Sequence, residues 1–140
     1  MDLLIDTNIL LDWTMQREPF AEEAEKIIGL CIDEEVRGYV ACHSLLNAFY
    51  VMRKGYSIEE RREAILMFCE TFTIVGIDED MLLKSLGAAD FHDIEDGLQV
   101  QCAVSASVDY IITRDPKGFK NSEIPVLSPE AFLARMEMGE

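Results

Sequence analysis

The sequence predicts an α/β fold, a three-layer α/β/α sandwich around a central, mainly parallel sheet. Short apolar runs, typical of strands buried on both faces, alternate along the chain with segments of helical periodicity. Two of these runs, residues 3–5 and 110–112, are followed closely by Asp6 and Asp115. The carboxyl ends of parallel strands are where ligands bind in open α/β sheets, so we expect these two aspartates to share a site.

The first half of the chain carries clear helix signals. Pro19 suits the first turn of a helix, Ser44 is a plausible N-cap, and Gly55 supplies a stop. Ser57 and Glu60 have the spacing of a capping box, which opens a long amphipathic helix that ends near residue 72. The other helices are expected over residues 8–15, 20–33 and 44–54, with a short strand over residues 39–42.

The second half repeats the alternation. Strands are expected over residues 73–77, 109–113 and 126–127, and helices over residues 80–86, 94–107 and 129–136. Pro116 and Gly118 indicate a loop after the second of these strands. Strands that alternate with helices predict a parallel sheet with right-handed crossovers.

Size and composition limit the class of protein. A chain of 140 residues is expected to form one domain over residues 1–140. With 49% hydrophobic and 28% charged residues, the composition excludes disorder. No apolar stretch approaches the roughly 20 residues of a membrane span, so we expect a soluble, cytoplasmic protein with no membrane partner. The four cysteines lack metal-binding spacing and are expected to be reduced core residues.

The net charge of −15 argues against a surface that attracts nucleic acid everywhere. It does not exclude a nuclease, because carboxylates that bind a cation create a local attraction for phosphate. The charge also suits a protein held by a basic partner, and acidity that merely maintains solubility is the simpler interpretation.

A third group of acids lies in residues 90–99, between the two strand-end aspartates. Asp93 and Asp96 fall on one face of the helix predicted there, whereas Glu95 is rotated away by about 100° and is expected to face solvent. Each acid also has a structural explanation. Asp93 and Asp6 are both placed to cap helices, and Asp115 precedes a proline in a turn.

These segments resemble the PIN domain family in sequence and in order. The likeness rests on residues 3–12 (LLIDTNILLD), 93–99, and 110–115 with Phe119, and on residues 38–40 leading into 45–54. The closing residues 124–133 resemble the tail of a bacterial subgroup, the small VapC-type toxin ribonucleases. The resemblance therefore spans nearly the whole chain.

The resemblance implies a Mg²⁺- or Mn²⁺-dependent endoribonuclease that hydrolyses RNA phosphodiester bonds. Many small bacterial members are toxins inhibited by a small antitoxin protein, and such toxins often form homodimers. Asp6, Asp96 and Asp115 match the family's catalytic, metal-binding acids, and we expect further metal ligation by Asp93 and Asn47. Thr113 and Asn8 are expected to support the carboxylates, and Arg114, Arg53 and Lys54 are candidates for contact with RNA.

One position departs from the family pattern. Asn47 occupies the place where a further acid, commonly glutamate, is usual. An amide oxygen ligates hard cations without formal charge, so we expect weaker metal binding.

Two other functions are compatible with the residues. A catalytically weak or inactive PIN-like module would act by binding a protein partner. An aspartate-dependent phosphatase would also place a strand-end aspartate first, but it needs a second acid two residues later, where this chain has Asn8.

Overall fold

The computed structural model describes residues 1–87 and 93–139. These residues form five strands, seven α-helices and two short 3₁₀ turns. The strands are β1 (Asp2–Ile5), β2 (Arg37–Ala41), β3 (Thr73–Val75), β4 (Tyr110–Ile112) and β5 (Val126–Leu127). The α-helices are α1 (Thr7–Thr14), α2 (Ala21–Ile32), α3 (Cys42–Val51), α4 (Ile58–Thr71), α5 (Glu79–Gly87), α6 (Ile94–Ala106) and α7 (Pro129–Glu137). The 3₁₀ turns are Met52–Lys54 and Pro116–Phe119.

The strands form one sheet in the order β3-β2-β1-β4-β5, and each neighbouring pair is parallel. The central strand β1 pairs with β2 on one edge and with β4 on the other. Because the chain builds outward from β1 through β2 and β3, and then crosses to β4, the direction of strand order reverses beside β1. The carboxyl ends of β1 and β4 therefore flank a topological switch point, where α/β sheets bind ligands.

Two apolar layers cover the sheet, as the three-layer prediction requires. Leu3 and Ile5 project into a core shared with α1, α2, α3, α4 and α7, whereas Leu4 projects into the opposite core with α5 and α6. This alternation follows from the two-residue period of a strand. Residues 3, 4 and 5 are fully buried, which explains why they are apolar.

Most predicted elements are confirmed, and the differences have local causes. Ser57 and Glu60 form the predicted capping box at the start of α4. The prediction that Ser44 caps α3 is wrong, because β2 passes directly into a helix whose N-cap is Ala41. Ser44 instead lies buried inside α3, where its Oγ accepts a hydrogen bond of 2.6 Å from Gln99 Nε2.

None of the helices in the described part of the chain is long and apolar enough to cross a lipid bilayer.

Gly38 provides a test of how tightly β2 packs against the side chains of Phe72 and Cys31. A Cβ at this position would lie 2.6 Å from Phe72 Cδ1 and 2.8 Å from Cys31 Sγ. We expect Gly38→Ala to lower the free energy of unfolding by about 1–3 kcal/mol, because two buried side chains must move. Gly29→Ala in α2, where a Cβ meets nothing within 4 Å, is the matched control and should stabilise by about 0.5–1 kcal/mol. Urea unfolding measures both changes, and a Gly38→Ala protein as stable as wild type would contradict this account of the packing.

Candidate active site

A cleft of about 340 Å³ opens beside β1 at the carboxyl edge of the sheet. Its polar lining includes residues from the end of β1, from α1 and the loop after it, and from α3 and α6: Asp6, Asn8, Arg17, Asn47, Glu95 and Asp96. The cleft thus brings together groups that lie up to 90 positions apart in the sequence.

Asp6 is the most deeply buried carboxylate of the cleft, with 8% of the residue exposed. It is the N-cap of α1, where Oδ1 accepts a hydrogen bond of 2.8 Å from Thr7 N. Oδ2 accepts a second bond of 2.7 Å from Thr113 Oγ1. Burial raises the pKa of Asp6 to about 6, and the charges of Glu95 and Asp115 add to this, although the two hydrogen bonds oppose it. Capping and membership of the acidic cleft are therefore compatible roles.

Thr113 and Asn8 connect Asp6 to the segment that carries Asp115. Thr113 is fully buried, and its Oγ1 accepts hydrogen bonds from Asp115 N at 3.1 Å and Asn8 Nδ2 at 3.3 Å. Asn8 Oδ1 in turn accepts a bond of 3.3 Å from Arg114 N. The ends of β1 and β4 are also joined directly, since Asp6 N donates to Ile112 O at 3.0 Å.

Asp96 enters the cleft from the first turns of α6 and is half-buried. Burial raises its pKa to about 7, and the surrounding carboxylates, Asp6 first among them, contribute in the same direction. Asp93, by contrast, caps α6 through a bond of 2.8 Å from Glu95 N to its Oδ1. Its side chain is exposed and does not line the cleft.

Asp115 and Asp96 both lie close to Gly118 in the 3₁₀ turn Pro116–Phe119. A Cβ on Gly118 would lie 2.9 Å from Asp96 Oδ2 and 3.7 Å from Asp115 Oδ2. The two carboxylates therefore approach the same point of the backbone, and the missing side chain leaves them room.

The expectation that Glu95 faces solvent is wrong. Glu95 is half-buried and lines the cleft, and its Oε1 accepts a hydrogen bond of 3.4 Å from Thr7 Oγ1. A rotation of about 100° between Glu95 and Asp96 would keep Glu95 out of the site only if a single face of α6 lined it. Both Glu95 and Asp96 line the cleft, so the first turn of α6 contributes to it from more than one face.

Asp12 and Arg17 were not among the predicted site residues. The Asp12 side chain is 1% exposed and accepts hydrogen bonds from Arg17 Nε at 2.9 Å and Arg114 Nε at 2.6 Å. The Arg114 guanidinium, a predicted RNA contact, therefore pairs with Asp12, although 31% of its side chain remains exposed. A sequence signal for Asp12 was present, since it follows the buried Ile9 at the i+3 position, on the apolar side of α1.

The other predicted RNA contacts lie outside the cleft. Arg53 and Lys54 are exposed in the Met52–Lys54 turn, and neither lines the cleft. The Arg53 guanidinium stacks over the ring of Tyr50, 3.7 Å from its centre, and Tyr50 is a cleft residue. Of the acidic segment that the sequence singled out, Asp90 lies outside the described residues.

The chemistry of the cleft fits a hard divalent cation. All of its candidate ligands are carboxylate or amide oxygens, which Mg²⁺ and Mn²⁺ prefer. The pKa values of Asp6 and Asp96 are raised mainly by burial, with a smaller contribution from the surrounding carboxylates, and a bound cation would favour the charged forms. Within the described ranges, however, no three acidic, cysteine or histidine side chains form a ready-made metal cage. The site is an open, carboxylate-lined cleft.

A PIN domain family model matches residues 2–117. The chain belongs to the PIN domain family. A search of curated protein sequences found no match. Among solved structures, the PIN fold recurs in VapBC-1 from nontypeable Haemophilus influenzae, with a TM-score of 0.69, 18% identity, and coverage of 93% of this chain and 99% of that one.

Two further structures share the fold. A toxin–antitoxin complex from Klebsiella pneumoniae matches with a TM-score of 0.68 and 22% identity over 91% of this PIN chain and 97% of that one. VapC20 of Mycobacterium tuberculosis, described as a toxin that cleaves the sarcin–ricin loop, matches with a TM-score of 0.63 and 7% identity over 78% and 86%. At these identities the likeness establishes the fold and no more.

The raised pKa of Asp6 predicts a specific pH dependence of stability. A carboxyl group whose pKa is higher in the folded state stabilises the fold at pH values below its unfolded pKa of about 4, and this contribution is lost as the pH rises through about 6. In the presence of a chelator, wild type should therefore lose stability relative to Asp6→Asn between pH 4 and 7. Asparagine keeps the helix cap, so α1 is retained.

Chemical unfolding at several pH values measures this difference. Asp33→Asn, which removes an exposed carboxylate at the end of α2, is the matched control and should show little such trend. A difference in the free energy of unfolding between wild type and Asp6→Asn that stays constant from pH 4 to 7 would contradict the raised pKa of Asp6.

Proposed function

We propose that this PIN domain is a metal-dependent endoribonuclease of the toxin type, acting as one domain over residues 1–140 in the cytoplasm. The observation that carries the proposal is the convergence of Asp6 and Asp96, both with raised pKa values, on one cleft at the sheet's switch point. Membership of a family of nucleases supports the same reaction class.

Asp6, Asp96 and Asp115 would hold Mg²⁺ or Mn²⁺, with Asn47 as an uncharged oxygen donor. A cation bound there supplies an activated water and neutralises charge on the phosphodiester. Thr113 orients the Asp6 carboxylate through its hydrogen bond of 2.7 Å. Asp93 acts indirectly, because it caps α6 and its charge helps to raise the pKa of Asp96. Glu95 adds a further carboxylate at the rim.

The biological setting we propose is a toxin–antitoxin pair. A structure that shares this fold is a toxin–antitoxin complex, which supports a small antitoxin as the protein partner, and we propose a homodimer as the assembly. RNA is the proposed substrate. The chain's charge of −15 favours an antitoxin segment that carries basic residues.

A catalytically weak module that acts through protein binding is the second candidate. Asn47 favours it, since this residue lines the cleft where an acid is usual. Metal binding distinguishes the two candidate functions, because an inert module does not need to bind a cation through Asp96.

Cleavage of RNA tests the main proposal. Wild type should cleave a fluorescent single-stranded RNA in Mn²⁺ and stop when a chelator is added. Asp6→Asn and Asp96→Asn should each reduce the rate by about 100-fold or more, because a direct ligand is worth at least as much as the outer partners of a metal site. Asp33→Asn is the control for charge. Cleavage that survives the chelator, or equal rates in all variants, would overturn the assignment.

Gly118 offers a second test that does not depend on turnover. Gly118→Ala should displace the Asp96 carboxylate, since the new Cβ would lie 2.9 Å from Oδ2, and should weaken Mn²⁺ binding about 10-fold in calorimetry. Gly76→Ala adds the same methyl group in open space and should bind Mn²⁺ as wild type does. Unchanged affinity in Gly118→Ala would show that Asp96 is not a ligand in its present position.

A further inference from the structure

Asp12 shares its buried carboxylate between two arginines, which leaves one positive charge without a matching negative one. Arg17 donates from Nε at 2.9 Å, and Arg114 donates from Nε at 2.6 Å and Nη2 at 3.1 Å. The Asp12 side chain is 1% exposed, so its carboxylate is sheltered from solvent and salt.

The two arginines are similarly exposed, since 31% of the Arg114 side chain is accessible, but they bind Asp12 differently. Arg114 donates hydrogen bonds to Asp12 from two nitrogens, and its guanidinium carbon lies 3.9 Å from the centre of the Phe20 ring. Arg17 uses only Nε on Asp12, and its side chain remains 34% exposed. Among the described residues that line the cleft, Arg17 is the only lysine or arginine.

The chain holds Arg17 in place before any ligand arrives. Gln16 adopts a left-handed backbone conformation with φ of 50°, which turns the chain at the end of α1. Arg17 N then donates to Asp12 O at 3.0 Å, and Arg17 Nη2 reaches Asn8 O at 3.4 Å. In the described part of the chain, Nη1 has no hydrogen-bond partner. A guanidinium that is anchored at one edge and free at another is suited to bind a phosphate.

We propose that Arg17 is a substrate-binding residue, whose free guanidinium edge contacts a backbone phosphate of the RNA strand in the cleft. The inference rests on the proposed nuclease function, because it needs RNA beside Asp6 and Asp96. Asp12 is then a positioning residue that aims Arg17 and keeps it from collapsing onto the acidic side chains of the cleft. The role differs from that of the exposed Arg53 and Lys54, which lie outside the cleft.

The test is the salt dependence of RNA binding. A fluorescent single-stranded RNA of mixed sequence is titrated with the full chain in Ca²⁺, between 50 and 200 mM salt, for wild type, Arg17→Ala, Arg17→Lys and Arg37→Ala. Loss of one phosphate contact should weaken binding about 10-fold in Arg17→Ala and reduce the slope of log affinity against log salt by about 0.7. Arg17→Lys should keep most of the slope, because it keeps the charge.

Arg37→Ala is the matched control. Arg37 pairs with Asp2 at the amino edge of the sheet, opposite the cleft, and its loss changes the net charge by the same amount. It should leave affinity and slope near the wild-type values. Arg17→Gln, which still donates to Asp12, replaces Arg17→Ala if thermal unfolding shows that the alanine variant is unstable.

The binding and cleavage results distinguish the role of Arg17 from the proposed nuclease function. A wild-type slope in both Arg17→Ala and Arg17→Gln, with normal wild-type binding, overturns the role of Arg17 alone. Failure of wild type to bind RNA in Ca²⁺ and to cleave it in Mn²⁺ overturns the proposed function, and the role of Arg17 with it. A loss of slope confined to the Arg17 variants supports the contact.

Discussion

The position of β1 in the sheet is the constraint on which the rest of this PIN domain depends. This strand is hydrogen-bonded on both sides, and Leu3, Leu4 and Ile5 are packed on both faces, so these side chains must be apolar. The first polar residue after the strand must lie at the carboxyl end of the sheet. That residue is Asp6. Because the strand order reverses beside β1, the end of β4 comes alongside, and Asp6 N bonds to Ile112 O. The geometry of the cleft follows from this pairing.

The site contains two buried aspartates, Asp12 and Asp6, whose negative charges are stabilised to different extents. Asp12 is fully compensated, since two guanidinium groups hold it inside the protein. Asp6 is compensated only by hydrogen bonds from Thr7 and Thr113, and burial among other carboxylates raises its pKa. A buried ion pair keeps its geometry because breaking it leaves an unpaired charge. The network of Asp12 with Arg17 and Arg114 therefore helps to fix the frame of the cleft.

Local pattern predicted the order of the elements, and the rule for strand ends predicted that Asp6 and Asp115 share a site. The family resemblance added Asp96 to them. The sequence did not predict the contacts of Glu95, Asp12 or Arg114. Glu95 was placed by its angle on an isolated helix, whereas its burial depends on how α6 approaches α1. Arg114 was assigned to RNA as a surface cation, whereas its partner lies 102 positions away. Ser44 was expected to cap a helix that begins two residues earlier.

By itself, the sequence determined the fold class, the family likeness and the set of acids that surround the candidate site, since buried strands, caps and strand-end aspartates leave marks within a few residues. The tertiary structure decided which charges are free to act. Whether an aspartate or arginine is compensated depends on side chains brought from distant elements, and the energy of a buried charge depends on those neighbours and on exclusion of water. Asp12 shows this, because one of its two arginines, Arg114, lies 102 positions away in the sequence, whereas the other, Arg17, lies five positions away.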